Sequence, residues 1–489
     1  MTETAEPSSS AVFRAAQWLR ARWSGFFVTS AALLIPCFWH RHIQACDLGS
    51  HLYTAWLTQS VSRGLLPGLH LGRQYTNVLV DLLLSKLFPY FGAIGTERLV
   101  VGLCVLIFFW GAFAFASAAA RRAAWNAAPL LAMVAYGAIF HWGFFNFYLS
   151  AGLSFFALAI VVSGTGKDLI LLPVLLVLSA VAHPLGAACL LALGAYLAAL
   201  RWIPAKHHLP MTMLLVGFAF GVWAYLVRHF LVLQREIHMY WLLGADQLVV
   251  FGRGYLWLGV AALATCAVCV FMALRKTPIA DILPWLQFYL AIALVVAFAP
   301  GGLASESTFG MMGYLPDRGS LYSAVALATL VACCRPRLWF TASCAILAVI
   351  FFTAIYHDTG ILDRRNTKVA ELVSACPGRR VIAMIRPIPG SRIHEDHALD
   401  RACIGQCYAY TNYEPSSGQF RLRADPGNRF IEMDQDALDA IQDGSYIVQP
   451  RDLPVYEVYQ CGAGVNDLCL AELHDGQQIR DVPGITTTP

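Results

Sequence analysis

Apolar residues fill the first 356 positions in long blocks, and polar residues gather in the short gaps between them. Blocks of about 17–25 apolar residues are long enough to cross the hydrocarbon of a bilayer as helices. The pattern predicts such segments near 24–39, 76–93, 98–119, 127–141, 147–163, 169–182, 184–200, 210–231, 254–274, 282–300, 320–334 and 338–356. Beyond that point the blocks shorten. KVAELVSAC reads as a helix, and a turn at Pro377–Gly378 leads into the strand RRVIAMIRP. YIVQP and VYEVYQCG read as later strands, and DALDAIQDG as a short helix ended by glycine. The expected fold is a polytopic α-helical membrane protein with about 11–13 transmembrane helices and a small C-terminal soluble α/β domain. Residues 1–23 form a polar cytoplasmic tail, 24–356 the membrane domain, and 357–489 the soluble domain.

Composition sharpens this division. Of 489 residues, 58% are hydrophobic and only 13% charged, against about 25% charged in a typical soluble domain. Residues 1–356 hold 21 Lys/Arg and 11 Asp/Glu, whereas 357–489 hold 13 and 19. The net charge of +4 is not gathered into a basic face. A soluble enzyme, a disordered regulator and a nucleic-acid binder are therefore excluded. Arg14, Arg20 and Arg22 precede the first block and argue for a cytoplasmic N-terminus. Basic loops at Arg121–Arg122, Arg201–Lys206, Arg275–Lys276 and Arg335–Arg337 also read as cytoplasmic, which places the tail outside. Twelve full crossings would return the tail to the inside, so one segment is re-entrant or split. The suspects are 76–93, which carries Asp81 and Lys86, and the pair broken at His183–Pro184.

Nine of the fourteen cysteines lie in or beside apolar blocks, as small packing residues do. Cys376, Cys403, Cys407, Cys461 and Cys469 lie in the tail, and Cys46 after the first crossing makes an even six, compatible with disulfides. The C-x₃-C pair Cys403–Cys407 near His394 and His397 is a competing zinc pattern, without a second such pair. Walker A, GxGxxG, HExxH and GxSxG motifs are missing from the sequence.

Acids in a membrane block are costly unless solvated or paired, so they mark candidate chemistry. Asp47 is the only acid between positions 7 and 80, in HRHIQACDLGSHLYTAWLTQSVSRG. Leu48, Leu52, Ala55, Trp56 and Val61 follow it near helical spacing, predicting an amphipathic surface helix within an outer loop over 40–75. Asp47 at the entry of that helix is an N-cap, a general base, or both. His51 lies one turn on, so both side chains can face one cavity. Glu306 is a second outer-loop acid, suited to holding an acceptor or metal, or simply solvated. Arg318 in GYLPDRGSLYSA and Arg73 are loop cations that suit a phosphate, with snorkelling as the ordinary alternative. Asn146 in HWGFFNFYLS and His183 in VAHPLG sit at breaks where polar groups line cavities or satisfy backbone. Glu97–Arg98 reads as a local pair, and Asp81 as a partner of Lys86 or a cavity residue. CYAYTNYEPSSGQFRLRA mixes residues that stack on and hydrogen-bond sugars with ordinary loop residues.

An outer loop opening on Asp47, the run QYTNVLVDLLLSKLF and the turn FGAIGTERLVVGL, before many helices and a soluble tail, resemble the GT-C integral-membrane glycosyltransferases. The layout is nearest to the protein O-mannosyltransferase and lipid A aminoarabinose transferase branches. The resemblance implies sugar transfer from a polyprenyl-phosphate donor to a glycan, lipid or protein acceptor, at the periplasmic face of a bacterial inner membrane. Asp47 would be the general base, with Arg318, Arg73, His51, Glu306, His183 and Asn146 around substrate. Many relatives carry two adjacent acids where this chain has Cys46–Asp47, which leaves open whether a divalent metal takes part. The rival expectation is a glycolipid or polysaccharide transporter, or an envelope-assembly subunit. Transporters often show duplicated halves, and this sequence has no internal repeat.

Overall fold

The computed structural model describes residues 23–164, 166–233, 243–276, 278–305, 310–388, 390–393 and 397–480. In chain order the helices begin with α1 (Trp23–Leu34), α2 (Leu48–Ser62), α3 (Leu79–Ala120), α4 (Ala128–Ala135), α5 (Ala138–His141) and α6 (Phe145–Ser163). They continue with α7 (Leu172–Ala182), α8 (Pro184–Trp202), α9 (His208–His229), α10 (Arg253–Leu274), α11 (Ile279–Ala297) and α12 (Leu315–Cys333). The last are α13 (Leu338–Val373), α14 (Ala398–Cys403), α15 (Tyr413–Ser417) and α16 (Gln435–Gln442). The strands are β1 (Leu69–Leu71), β2 (Leu231–Leu233), β3 (Gly302–Ser305), β4 (Gly310–Met312) and β5 (Arg380–Met384). After them come β6 (Tyr408–Ala409), β7 (Leu422–Ala424), β8 (Val455–Gln460) and β9 (Leu468–Leu473).

Among the described residues, seven helical stretches are long and apolar enough to cross a membrane. They are α3, α6, α8, Ala205–His229, α10, α11 and α13, while Ser24–Cys37 and Asp168–Ala182 are shorter apolar helices. The chain divides into two compact units. The first holds residues up to 35, 102–140 and 146–353, and the second holds 36–101, 141–145 and 354 onward.

The first unit is helical apart from the small antiparallel sheet β2-β3-β4. Its helices approach closely where glycine removes a side chain. A Cβ on Gly152 of α6 would stand 2.8 Å from the backbone of Phe108 in α3, and one on Gly111 would stand 2.3 Å from the Gly152 carbonyl. Small residues at such crossings let helix backbones meet, which is how packing substitutes for the hydrophobic effect in lipid. Gly152→Leu should therefore lower the melting temperature of the solubilised protein sharply, through an overpacking cost of about 1–3 kcal/mol or more.

The second unit differs from the domain expected of the tail alone. The strand order β6-β5-β8-β9 is parallel at β6/β5 and β5/β8 and antiparallel at β8/β9. RRVIAMIRP and VYEVYQCG supply β5 and β8, whereas YIVQP forms no strand and makes only an isolated bridge at Ile447. KVAELVSAC is not a separate helix. It lies largely within the 36-residue α13, which runs on from the apolar 338–356 block, so the expected boundary at 357 falls inside one helix.

The first loop also belongs to this unit. β1 pairs antiparallel with β7, with Leu69 opposite Ala424. Tyr53, Leu57 and Leu66 fill one core with Val369, Val381 and Leu399. α2 is consequently no two-faced surface helix: ten of its residues, from Leu48 to Thr58, are buried, including Ser50, His51 and Thr54. The apolar spacing predicts an amphipathic surface helix, but residues of the tail and the loop cover its polar face as well.

The suspected segment 76–93 is the opening of α3. Gly92 interrupts that helix with φ 62° and ψ −173°, three residues after Pro89. A positive φ of this kind is open to glycine at little steric cost. Cys403–Cys407 and Cys461–Cys469 are disulfides, while Cys46 and Cys376 remain thiols, so four of the six expected cysteines pair. The Cys403–Cys407 bond removes both sulfurs from the zinc pattern, and His394 lies outside the described residues.

Candidate functional site

The second unit gathers carboxylates and imidazoles around the start of α2. Backbone bonds fix the approach. The Cys46 N–H donates to the His141 carbonyl at 2.8 Å and the Asp47 N–H to that of Trp142 at 3.2 Å. The His141 ring lies 2.8 Å through Nδ1 from the Gln44 carbonyl. Gly143, with φ +81°, lies so close that a Cβ there would stand 2.6 Å from the Asp47 nitrogen. The 141–143 corner thus clamps residues 44–47.

Asp47 occupies the N-cap position of α2 but its side chain makes no capping hydrogen bond. Its Oδ1 lies 3.6 Å from His397 Nε2, and the other ring nitrogen of His397 lies 2.7 Å from Asp400 Oδ2. Gly49 allows this meeting, because a Cβ there would stand 2.4 Å from the His397 carbonyl oxygen. Tyr413 covers His397 with ring centroids 5.2 Å apart and meets Phe420 edge-on at 5.3 Å. Burial, with the Asp47 charge beside it, pushes the Tyr413 hydroxyl well above its ordinary value. That phenol stays protonated, as a donor beside a carboxylate.

One turn along α2, His51 Nδ1 lies 2.9 Å from Asp81 and 3.3 Å from Glu414. The Ser50 hydroxyl donates to Glu414 at 2.7 Å, and Asn412 donates to Ser50 at 2.8 Å. Burial alone would pull the His51 imidazole down. The carboxylates of Asp81 and Glu414, the Asp81 hydrogen bond and the further charge of Asp47 outweigh it and push it up to about 10. Burial, helped by the neighbouring Asp81 and opposed by His51, raises Glu414 above its ordinary 4.5.

Both shifts mean that the folded chain binds protons more tightly than the unfolded chain. The His51 contribution is therefore complete below its unfolded value of 6.5 and is lost as pH rises through about 10, and the Glu414 contribution is complete below 4.5 and is lost as pH rises through its raised folded value. Denaturation midpoints measured from pH 6 to pH 10 should fall, and His51→Gln should flatten that decline.

A second buried pair braces the loop. Glu97 accepts from the Ile43 N–H at 2.9 Å and pairs with Arg401, which also donates to the Ile43 carbonyl at 3.0 Å. The local Glu97–Arg98 pair is not formed; Arg98 instead donates to the His40 carbonyl at 3.2 Å. Asp81 turns to His51 rather than to Lys86.

The remaining candidates fall in both units. Arg73 belongs to the second unit and is exposed after β1. Arg318, His183 and Asn146 belong to the first unit. There Arg318 donates to the Gly313 carbonyl at 2.5 Å and lies 5.9 Å from the Phe147 ring, which also meets His183 at 5.4 Å. His183 accepts from the Leu185 N–H at 3.1 Å and so caps α8, a job on an amide rather than on carbonyls released by Pro184. Glu306 lies outside the described residues. The first unit also has an open cleft of about 390 Å³ beside Arg121, Arg201, His208 and Arg335, which contains none of the candidates.

The residue pattern did not single out Asp400 or Glu414, and it named His397 only for the zinc pattern. The one available signal was HALD, which sets His397 and Asp400 three apart. Tyr413, Glu414 and Phe420 come from the aromatic, polar stretch read as sugar-compatible. Cys46 Sγ, an Asp47 oxygen and a His397 ring nitrogen all lie within 4.8 Å of one another, a set able to hold a metal ion. Comparison with protein-family models, curated proteins and solved structures gives no match for this chain.

Proposed function

We propose that the protein is a membrane glycosyltransferase that moves a sugar from a polyprenyl-phosphate donor to an acceptor hydroxyl at the periplasmic face of an inner membrane. The observation that carries this reading is the state of Asp47. Its side chain leaves the capping role and turns toward a histidine whose far nitrogen is held by a second carboxylate. Asp47 is also 22% exposed where Glu414 is 1% exposed, so of these two it is the carboxylate a substrate can reach.

The acceptor oxygen attacks the anomeric carbon as Asp47 takes its proton. The bond from that carbon to the phosphate oxygen breaks, and the lipid phosphate leaves with the electron pair. A departing phosphate needs fixed cations, and Arg73, in the same unit as Asp47, is suited to it by its planar donor fork. Tyr413 and Phe420 offer ring faces to the sugar or acceptor.

Membranes containing the protein, incubated with radiolabelled polyprenyl-phosphate sugars, should yield labelled acceptor and unlabelled lipid phosphate. Membranes lacking it should not. Lipid movement across vesicles without cleavage of the sugar–phosphate bond would replace transfer with transport.

A further inference from the structure

Cys46, Asp47 and His397 bring a thiol, a carboxylate and an imidazole nitrogen to one point in the second unit, and the geometry points to a resident metal centre there. The three donor atoms lie within 4.8 Å of one another. They arrive on elements fixed before any ion binds. Cys46 and Asp47 are tied through their N–H groups to the His141 and Trp142 carbonyls, and the His397 backbone lies against Gly49.

The outer contact is the independent observation. His397 is paired at Nδ1 with Asp400 at 2.7 Å, which leaves Nε2 as the nitrogen facing Asp47 and Cys46. A carboxylate behind a histidine fixes ring orientation and strengthens the nitrogen as a donor, as behind metal-bound histidines generally. A sulfur, a nitrogen and an oxygen together favour a borderline divalent ion of the zinc or cobalt kind over magnesium or calcium. Three protein ligands leave a fourth position for water or a substrate oxygen, the arrangement of a reactive rather than a purely structural zinc site.

The proposal stands without the transfer reading. Where both hold, Cys46, Asp47 and His397 would hold the ion, and it would supply a charge that makes a nearby hydroxyl more acidic.

Full-length protein, solubilised, stripped with chelator and titrated with Co²⁺ alone, tests it. The expected result is one saturable equivalent with a thiolate-to-cobalt charge-transfer absorption. Cys46→Ser should remove that absorption, and His397→Ala should remove saturable binding. Asp400→Asn should weaken binding by about 10–100-fold. Cys376→Ser, which changes a buried thiol elsewhere in the unit, should leave spectrum and affinity unchanged. If His397→Ala does not fold, Cys46→Ser decides alone, because it exchanges one atom and its melting curve can be compared with wild type. No saturable cobalt in folded protein, or wild-type spectra in Cys46→Ser, overturns the centre. Because no sugar is present, these results are separate from success or failure of the transfer assay.

Discussion

Asp47→Asn should reduce sugar transfer by about 10²–10⁴-fold, the usual worth of a positioned general base. Asparagine keeps the size of the side chain and loses its ability to accept a proton. The substitution leaves the α2 cap intact, because the Asp47 side chain makes no capping bond. Melting temperature and yield should therefore match wild type, so that lost transfer reports chemistry and not folding. Rates are to be measured at saturating donor in membranes with matched protein content. Transfer at the wild-type rate would remove Asp47 from the mechanism. A chelator control separates the two roles of this carboxylate: loss of activity on chelation, restored by zinc, assigns part of the effect to a bound ion.

The largest effect on stability is expected at Arg401. Its guanidinium is buried with Glu97, which the fold has sealed beneath residues 41–44. Removing one partner of a buried pair leaves an uncompensated charge and costs about 3–5 kcal/mol. Arg401→Ala should lower the denaturation midpoint accordingly and carry transfer down with it, since residues 43–47 lose their brace. The paired variant Glu97→Gln with Arg401→Met leaves no stranded charge and keeps an acceptor for the Ile43 N–H. It should recover much of the loss, and equal destabilisation in the single and double variants would argue against the ion pair as the cause.

The long apolar elements were legible because their signal is local. The runs near 147–163, 184–200, 210–231 and 254–274 correspond to α6, α8, α9 and α10 within a few residues. The doubt over 76–93 also has a local source, in Asp81 and Lys86, and the structure adds the break in α3 at Gly92. Asp47 stood out because acids are scarce around it. Its surroundings were hidden for the opposite reason. Ser50 bonds Glu414 across 364 positions of chain, and His51 meets the same carboxylate, a pairing that no periodicity encodes. The pairing of Glu97 with its neighbour Arg98 follows the same short-range logic, while Arg401 lies 304 residues away. The mostly buried state of α2 was lost with them, since an amphipathic spacing does not say what covers its polar side.

The order in which the ribosome delivers these pieces has a consequence for biogenesis. Asp47 is made some 350 positions before His397, with Asp400 and Glu414 later still. Throughout synthesis and insertion the early loop waits as an incomplete half, with Tyr53 and Leu57 lacking the later partners that bury them. A chain that stops before residue 397 therefore carries Asp47 without the imidazole that lies beside it in the finished fold.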